Sequence, residues 1–363
     1  MQNLTALRQE GGLIFPFVRN SRASRSIPGH FALLDTMLPN CSMPSPNCST
    51  PSNVVDMLVA VLLMLEFGLG LLGNAIALWT FFFRLKVWKP YAIYLFNLVL
   101  ADLLLTVCLP FPIVVYLTHR KLIFGHMFCQ VLLFLLAMSR GVGIAFLTAV
   151  ALDRYFRVVH PRCRINLLSP RSARVVSVFV WLLMMGLSHQ SLFLSQAAKN
   201  CTECHNVYPW EDFSIRIIWQ ETFFFLQFLL PFGLILFCNA GIIRTLQERL
   251  RDPEKQPKLY RAKALVMVVV VIFGVCFVPS VLARILMDIF WRSASCRILK
   301  VMVHASHITI SLTYLNSVLN PVVYCFSNPT FRYSYRKFFK TFRDRRKEAE
   351  PQSFELKDSY YEE

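Results

Sequence analysis

Two arginines interrupt apolar stretches of the sequence, where a charged side chain is costly and usually functional. Arg140 lies about three helical turns after Cys129, and no acidic residue stands between Cys129 and Asp153. A guanidinium fork with a hydroxyl donor nearby suits a carboxylate. Two later apolar stretches supply a second arginine, a tyrosine and a histidine. The candidate ligand-binding residues are therefore Arg140, Arg284, Tyr314 and His307.

Other interpretations of the two arginines stay open. Arg140 could form an internal ion pair, for which Glu66 is the main candidate besides Asp102. Arg284 could anchor its helix at a membrane interface, or Asp288, one turn later, could neutralise it. Only the carboxylate-binding interpretation assigns both arginines to one ligand.

The composition predicts which elements position these side chains. The chain has 363 residues, of which 55% are hydrophobic and only 16% charged, against roughly 25% charged in soluble domains. A bilayer is crossed by about 20 apolar residues. Runs of that length lie at 54–83, 92–118, 126–157, 171–196, 213–246, 261–290 and 299–326. We therefore expect an all-α membrane protein with seven transmembrane helices.

The distribution of basic residues predicts the orientation of the bundle. The formal net charge is +17, and Lys and Arg concentrate after the first, third and fifth spans and in the C-terminal tail. The positive-inside rule places these segments in the cytoplasm and the N-terminus outside. Topology thus accounts for the charge without nucleic acid, and we expect a multi-pass protein of the plasma membrane.

Residues 327–343 mix aromatic and basic side chains, so that a helix there has one apolar and one cationic face. Such a short amphipathic helix lies on the inner leaflet and contacts membrane lipids. The predicted organisation is an extracellular glycosylated tail at 1–53, a seven-helix bundle at 54–326, the surface helix at 327–343 and a cytoplasmic tail at 344–363.

Further polar residues and prolines lie inside the predicted spans. Pro231, Pro279 and Pro321 interrupt helical hydrogen bonding and mark positions where helices kink. In order and in span, the motifs resemble the signatures of the rhodopsin-like receptor family. They are Gly73-Asn74, Asp102, Asp153-Arg154-Tyr155, Trp181, Pro231, Cys276-Phe277-Val278-Pro279 and Asn320-Pro321-Val322-Val323-Tyr324.

This resemblance covers roughly residues 54–343 and implies a ligand-activated receptor whose partner is a heterotrimeric G protein. Asp153 is expected to hold Arg154 in a charged pair that opens on activation; the alternative is a basic anchor that snorkels to the headgroups. The resemblance assigns coupling and switching to Asp153, Arg154, Ile144, Pro231, Phe273, Phe277, Pro279, Asn320, Pro321 and Tyr324.

Four positions depart from the family pattern. Phe277 replaces the usual Trp, and Asn239 replaces a Tyr that commonly stabilises the active state. Leu259 stands where some relatives carry an acid that locks the arginine, so basal activity is a hypothesis. Gly143 stands where a Ser usually helps to bind sodium. The remaining polar residues form either an allosteric sodium site or a water-filled network: Asp102, Ser139, Asn316, Ser317 and Asn320.

Several longer stretches resemble the hydroxycarboxylic acid and oxoeicosanoid receptor group. They are 136–140 (LAMSR), 151–161 (ALDRYFRVVHP), 278–284 (VPSVLAR) and 312–317 (LTYLNS). The stretches 69–75 (LGLLGNA), 87–92 (VWKPYA) and 237–244 (FCNAGIIR) narrow the resemblance within this group. It implies a hydroxylated C20 fatty acid as agonist and an inhibitory G protein; a small hydroxy or keto carboxylic acid is the alternative.

The resemblance also implies extracellular disulfides. A bridge from the top of the third span to the second outer loop joins Cys129 to Cys201 or Cys204, and Cys204 is favoured because Cys201 lies in a sequon. A second bridge joins Cys48 to Cys296. The cysteines expected to stay reduced are Cys108, Cys163, Cys238, Cys276 and Cys325.

Four glycosylation sequons fall on the predicted outer side of the membrane. They begin at Asn3, Asn40, Asn47 and Asn200. Because the relatives have short N-termini, translation from Met43 is an alternative to translation from Met1.

Other classes of seven-span protein fit less well. A transporter usually shows internal repeats, and none is visible. An opsin needs a Lys within the seventh span, where Lys300 lies only at the outer end. His304 and His307 share a helical face, but without a carboxylate they do not indicate a metal site. We expect neither enzymatic activity nor a metal or organic cofactor, apart from sodium.

Overall fold

The computed structural model describes residues 53–118, 126–163, 169–189, 192, 215–249, 256–290 and 296–358. Every regular element among these residues is a helix, which confirms the all-α prediction. The helices are α1 (Asn53–Phe83), α2 (Pro90–Cys108), α3 (Pro110–Leu117), α4 (His126–Val159), α5 (Pro170–Ser188), α6 (Ile215–Arg249), α7 (Gln256–Phe290), α8 (Cys296–Ser327) and α9 (Pro329–Asp358).

Six segments of the described chain are long and apolar enough to cross a membrane. They correspond to α1, to α2 with α3, and to α4, α5, α6 and α7. Helix α8, the seventh predicted span, has 32 residues but a more polar composition. The polar side chains that make this helix less apolar are buried inside the bundle. They are Ser311, Thr313, Asn316, Ser317 and Asn320.

The second membrane segment is divided at Leu109. Pro110 has no N–H to continue the helix. The Leu109 N–H therefore donates to the Thr106 carbonyl in a tighter turn, at 3.1 Å. Helix α3 then turns towards α1, which it contacts along its length, and Tyr116 of α3 enters the core.

Helix α4 lies at the centre of the bundle and packs against α2, α5, α6 and α7. Helix α8 packs between α7 and α1, and a larger hydrophobic core joins all of these helices. A smaller core links α1 and α3 to the first third of α4 and to Tyr314 of α8. The candidate residues on α4, α7 and α8 thus face one another across the bundle interior.

Helix α9 has the amphipathic character predicted for residues 327–343. The Thr330 N–H donates to Asn328 Oδ1 at 3.0 Å and caps its start. Phe331 is buried, whereas Phe339 and Phe342 are 57% and 65% exposed beside basic side chains. The helix continues to Asp358, well past the predicted boundary at 343, and α5 ends at Ser188. Most of the rest of the predicted fourth span, up to 196, lies outside the described residues.

Gly73 is the point where α1, α8 and α9 meet. A Cβ at Gly73 would stand only 2.7 Å from Pro321 Cγ, so the glycine permits close approach of α1 to α8. The Tyr335 hydroxyl of α9 donates to the Gly73 carbonyl at 2.7 Å. Close contact at this glycine therefore fixes how the surface helix joins the bundle.

We expect Gly73→Ala to lower the thermal midpoint of the detergent-purified protein by several degrees. The added methyl collides with a rigid proline ring, and overpacking typically costs about 1–3 kcal/mol. Gly68→Ala is the matched control on the same helix, because a Cβ at Gly68 meets nothing within 4 Å. Equal midpoints for the two variants would contradict the packing role of Gly73.

Candidate ligand site and candidate switch region

Arg140 projects from the middle of α4 towards α8. Its Nη1 donates to Thr313 Oγ1 at 3.2 Å, and its guanidinium carbon lies 5.6 Å from the centre of the Tyr314 ring. The Thr313 hydroxyl donates its own hydrogen to the Ile310 carbonyl at 2.6 Å, so it can only accept from Arg140. Arg140 and Tyr314, predicted together from the sequence, are therefore in contact.

The internal ion pair considered for Arg140 is not formed among the described residues. Both carboxylate oxygens of Glu66 are buried without a hydrogen-bond partner there. The Asp102 carboxylate accepts from Asn320 and Tyr324 instead. Arg140 thus donates to a neutral hydroxyl and keeps further N–H donors for an anion.

Arg284 of α7 lies near Arg140, close enough for the two positive charges to repel each other. Its guanidinium carbon stands 4.5 Å from the centre of the Phe224 ring of α6, within the range of cation–π attraction. The side chain of Asp288, the proposed neutralising residue, lies outside the described part of the chain. A carboxylate placed between the two arginines would relieve their repulsion.

Below Arg284, five phenylalanine rings of α6 and α7 form a continuous series. Neighbouring ring centres are between 4.5 and 5.4 Å apart. We call this series the aromatic ladder; in order, its members are Phe224, Phe228, Phe277, Phe273 and Phe232. Its first ring contacts Arg284, and its lower rings belong to the main core.

Of the predicted switch residues, Phe273 belongs to the lower part of the aromatic ladder, Pro231 adjoins it in sequence, and Ile144 lies in the same hydrophobic core. Ile144 and Phe273 are each 1% exposed, and Pro231 lies inside α6 next to Phe232. Phe232 stacks on Phe273 with an interplanar angle of 10°. The ladder therefore connects the Arg284 contact to this cluster without a break.

His307 lies on the same face of α8 as Tyr314, about 10 Å nearer the start of the helix by the standard rise. It is buried, and its ring centre is 5.8 Å from that of Tyr116 on α3. The structure thus brings Arg140 and Tyr314 into contact and places His307 two helical turns away.

Asp102 of α2 is the centre of a buried polar network. Asn320 Nδ2 donates to both of its carboxylate oxygens, at 3.0 and 2.8 Å. The Tyr324 hydroxyl donates to Asp102 Oδ2 at 2.8 Å. These bonds join α2 to the Asn-Pro-x-x-Tyr motif of α8 and satisfy most of the buried carboxylate.

Asn74 of α1 completes this network. Pro321 has no N–H, so the Ser317 carbonyl one turn earlier loses its helical partner. Asn74 Nδ2 donates to that carbonyl at 3.0 Å and also to the Gly70 carbonyl at 3.0 Å. Through Gly73-Asn74, α1 thus satisfies the backbone group that the proline leaves open.

The remaining residues of the proposed sodium site supply oxygen atoms near this network. Asn316 Oδ1 and Asn320 Oδ1 are buried and have no partner among the described residues. The Ser139 hydroxyl donates to the Leu135 carbonyl at 2.6 Å and retains lone pairs. Carboxylate, amide and hydroxyl oxygens suit a hard cation, so the donor set is compatible with sodium.

The Asp153-Arg154-Tyr155 motif forms contacts other than the predicted one. Asp153 Oδ2 accepts from Arg157 Nε at 2.9 Å, one turn later on α4. Arg154 places its guanidinium carbon 4.5 Å from the centre of the Tyr91 ring of α2. The i, i+4 geometry aligns Asp153 with Arg157, so Asp153 forms its hydrogen-bonded ion pair there, while it still attracts Arg154 electrostatically.

Trp181, the tryptophan of the family motif, forms a hydrogen bond to another helix. Trp181 Nε1 of α5 donates to Asn97 Oδ1 of α2 at 3.0 Å, while Asn97 Nδ2 donates to the Ile93 carbonyl at 2.8 Å. This bond fastens α5 to the central part of the bundle.

The cysteines divide as expected. Those predicted to be reduced are free thiols: Cys108, Cys163, Cys238, Cys276 and Cys325. Cys129 is disulfide-bonded. Its expected partner Cys204, the alternative Cys201 and the Cys48 thiol lie outside the described residues, as does the side chain of Cys296. These pairings and the sequons at Asn3, Asn40, Asn47 and Asn200, which also fall in undescribed segments, stay predictions.

Two functional contacts were not foreseen from the sequence. Thr313 accepts the Arg140 hydrogen bond; its position beside Tyr314 was visible, but hydroxyls are common inside membrane helices. Tyr91 contacts Arg154 across two helices, and no local spacing signals such a pair. Both contacts arise from packing between different helices, which the spacing of residues in the sequence does not reveal.

Comparison with known proteins places these features in one family. Residues 73–324 match the model of the 7 transmembrane receptor (rhodopsin family). The human 12-(S)-hydroxy-5,8,10,14-eicosatetraenoic acid receptor is 62% identical over 318 residues, which cover 88% of this chain and 100% of that protein. The mouse receptor of the same name is 58% identical over 314 residues, covering 86% of this chain and 98% of its own.

A second group of relatives is also similar. Human hydroxycarboxylic acid receptor 2 is 44% identical over 286 residues, covering 76% of this chain and 77% of that protein. These matches confirm the resemblance drawn from the motifs, and they add the membrane context that makes α8 the seventh span. The chain belongs to the rhodopsin family of seven-transmembrane receptors.

Proposed function

We propose that the chain is a plasma-membrane receptor for a hydroxylated C20 fatty acid such as 12-(S)-hydroxyeicosatetraenoic acid. It signals through an inhibitory G protein, its N-terminus is outside the cell, and it catalyses no reaction. The observation that carries the proposal is Arg140, a cation within the bundle whose only described hydrogen-bond partner is a neutral hydroxyl. The names of the relatives that are 62% and 58% identical support this ligand class.

The ligand carboxylate binds Arg140 in this proposal. The guanidinium fork offers two parallel N–H donors, and the Tyr314 hydroxyl, beside Arg140, supplies a further one. Arg284, which interacts with Arg140 electrostatically, contributes a second positive charge. His307 lines the same face of α8 and contacts a more distant part of the ligand.

The apolar tail of the ligand packs on the aromatic side chains of α6. Phe223, Phe224 and Phe225 are partly buried near the start of the described side chains of this helix, and Phe228 is 2% exposed. Each methylene removed from water contributes about 0.8 kcal/mol. The carboxylate then determines orientation, while the tail provides most of the affinity.

Ligand binding reaches the intracellular side through the aromatic ladder. Movement of Arg284 towards a carboxylate changes its contact with Phe224, and the next rings must repack because they touch. Pro231, Pro279 and Pro321 are the points where α6, α7 and α8 can bend. Arg154 then becomes available to a G-protein helix.

A small hydroxy or keto carboxylic acid is the second candidate ligand. Hydroxycarboxylic acid receptor 2 is 44% identical to the chain, and an arginine clamp alone does not select for tail length. The two candidates differ in how much apolar surface the ligand buries, so ligand length separates them.

Replacement of Arg140 by Ala should abolish the response to hydroxylated C20 fatty acids. Loss of one partner of a buried charged pair costs 2–5 kcal/mol, which corresponds to a loss of potency of about 30-fold or more. The measurement is pertussis-toxin-sensitive G-protein activation in cells, with surface expression quantified for each variant. Arg140→Lys is the matched control, since it keeps the charge without the fork and should retain a weakened response. Unchanged potency of Arg140→Ala would refute the clamp.

Potency should fall steadily as the fatty acid is shortened from twenty carbons. A contribution of about 0.8 kcal/mol per methylene corresponds to a loss of potency of about fourfold for each methylene removed. Concentration–response curves for a series of hydroxy acids test this, and the methyl ester of the C20 acid should be inactive because it cannot pair with Arg140. If short hydroxy acids prove more potent than the C20 acid, the second candidate is correct.

We also propose that sodium binds next to Asp102 and supplies a positive charge there that favours the resting receptor. A side chain at Gly143 has room, because the nearest atoms to its Cβ are Leu98 Cδ1 at 3.8 Å and Asp102 Oδ1 at 4.0 Å. A serine there would add the oxygen that the family pattern provides. The polar network without a cation is the alternative.

Gly143→Ser should strengthen the reduction of agonist affinity by sodium, since it adds a ligand to the site. Agonist binding to membranes in sodium chloride and in N-methylglucamine chloride at equal ionic strength measures this effect. Asp102→Asn should remove it. Identical sodium dependence in all three proteins would show that the network holds no cation.

A further inference from the structure

Arg154, near the inner end of α4, forms no hydrogen-bonded ion pair with Asp153 among the described residues, although the Asp153 carboxylate still attracts it electrostatically. Asp153 is engaged by Arg157, and the residue at 259, where some relatives carry a locking acid, is leucine. Arg154 Nε and Nη2 are buried without a hydrogen-bond partner among the described residues. A buried cation in this condition must be held by another interaction.

The interaction that the structure provides is with Tyr91 at the start of α2. The guanidinium carbon of Arg154 lies 4.5 Å from the ring centre, well within the distance of cation–π attraction. Because the site is largely desolvated, this contact is stronger here than on a protein surface. Tyr91 can therefore perform the restraint that an acidic residue performs elsewhere.

Tyr91 is itself tied to the inner end of α8. Asn328 Nδ2 donates to the Tyr91 hydroxyl at 3.4 Å. The bond is long, so it orients the Tyr91 side chain more than it stabilises it. Asn328 stands between α8 and α9, and its Oδ1 caps α9 by accepting from the Thr330 N–H at 3.0 Å. A bend of α8 at Pro321 would move Asn328, and this movement would shift the Tyr91 ring relative to Arg154.

We propose that Tyr91 is the positioning residue that restrains Arg154 in the resting receptor, with Asn328 coupling this restraint to α8. Activation requires that Arg154 leave the Tyr91 ring and turn towards the G protein. The inference rests on the proposed coupling to a G protein but not on the identity of the ligand.

The test is ligand-free G-protein activation by the full-length receptor in cells, at matched surface expression. Tyr91→Leu removes the ring and should raise basal activity about three- to tenfold. Tyr91→Phe keeps the ring and should stay near the wild-type level, and Asn328→Ala should raise activity only slightly. Tyr91→Gln, which keeps a polar group without a ring, should match Tyr91→Leu and provides a second variant if one of them fails to reach the surface.

Two controls separate restraint of Arg154 from general loosening of α2. Phe96→Leu removes another ring of the same helix, one that packs on Phe81 and Trp88, and should leave basal activity unchanged. The double variant Tyr91→Leu with Arg154→Ala should lose the increase, since no arginine is then released.

Basal activity of Tyr91→Leu equal to wild type, in a receptor that still responds to fatty acids, would overturn the inference and leave the proposed function intact. An equal rise in Tyr91→Phe would overturn it as well, because the ring would then not be the restraint. Absence of signalling by every variant at full surface expression would overturn both proposals.

Discussion

The bundle depends on satisfying one backbone carbonyl inside the membrane. Pro321 cannot donate to Ser317, and lipid offers no water to replace the bond. Asn74 supplies the missing donor, which requires that α1 approach α8 closely, and Gly73 permits that approach. On the next turns of α8, Asn320 and Tyr324 bind Asp102 and draw in α2. The position of α8, and with it that of Tyr314 and Thr313 near Arg140, follows from this arrangement.

The two partly buried arginines of α4 illustrate two ways to keep a cation within a helical bundle. Arg140 donates to a neutral hydroxyl and lies against a tyrosine, so its capacity for an anion is largely unused. Arg154 also lies against a tyrosine, near the C-terminal end of the helix. Both sites are stabilised by aromatic faces and therefore remain open to exchange of partners. A fixed carboxylate would make each exchange more costly.

The sequence predicted the helical fold, the spans and the residues at the centre of the network, because their signals are local: apolar length, basic loops and motif spacing. The charged pair expected between Asp153 and Arg154 is an electrostatic attraction in the structure, without a hydrogen bond between the two among the described residues. Asp153 is adjacent in sequence, but α-helical geometry directs it to Arg157. Tyr91 and Thr313 were missed because their roles arise from packing between distant helices. The extension of α9 to Asp358 runs through residues 344–358, which are mostly charged or polar and carry no apolar periodicity that would predict a helix.

The aromatic ladder has a property that follows from the replacement of the usual tryptophan by Phe277. From Phe224 to Phe232 its side chains carry no polar atom, so they offer no directional bond that a ligand could make or break. These rings can transmit a ligand-induced change only when one ring sterically displaces the next. For the proposed lipid ligand, this means that agonist strength would depend on the bulk and curvature of the apolar tail more than on the carboxylate.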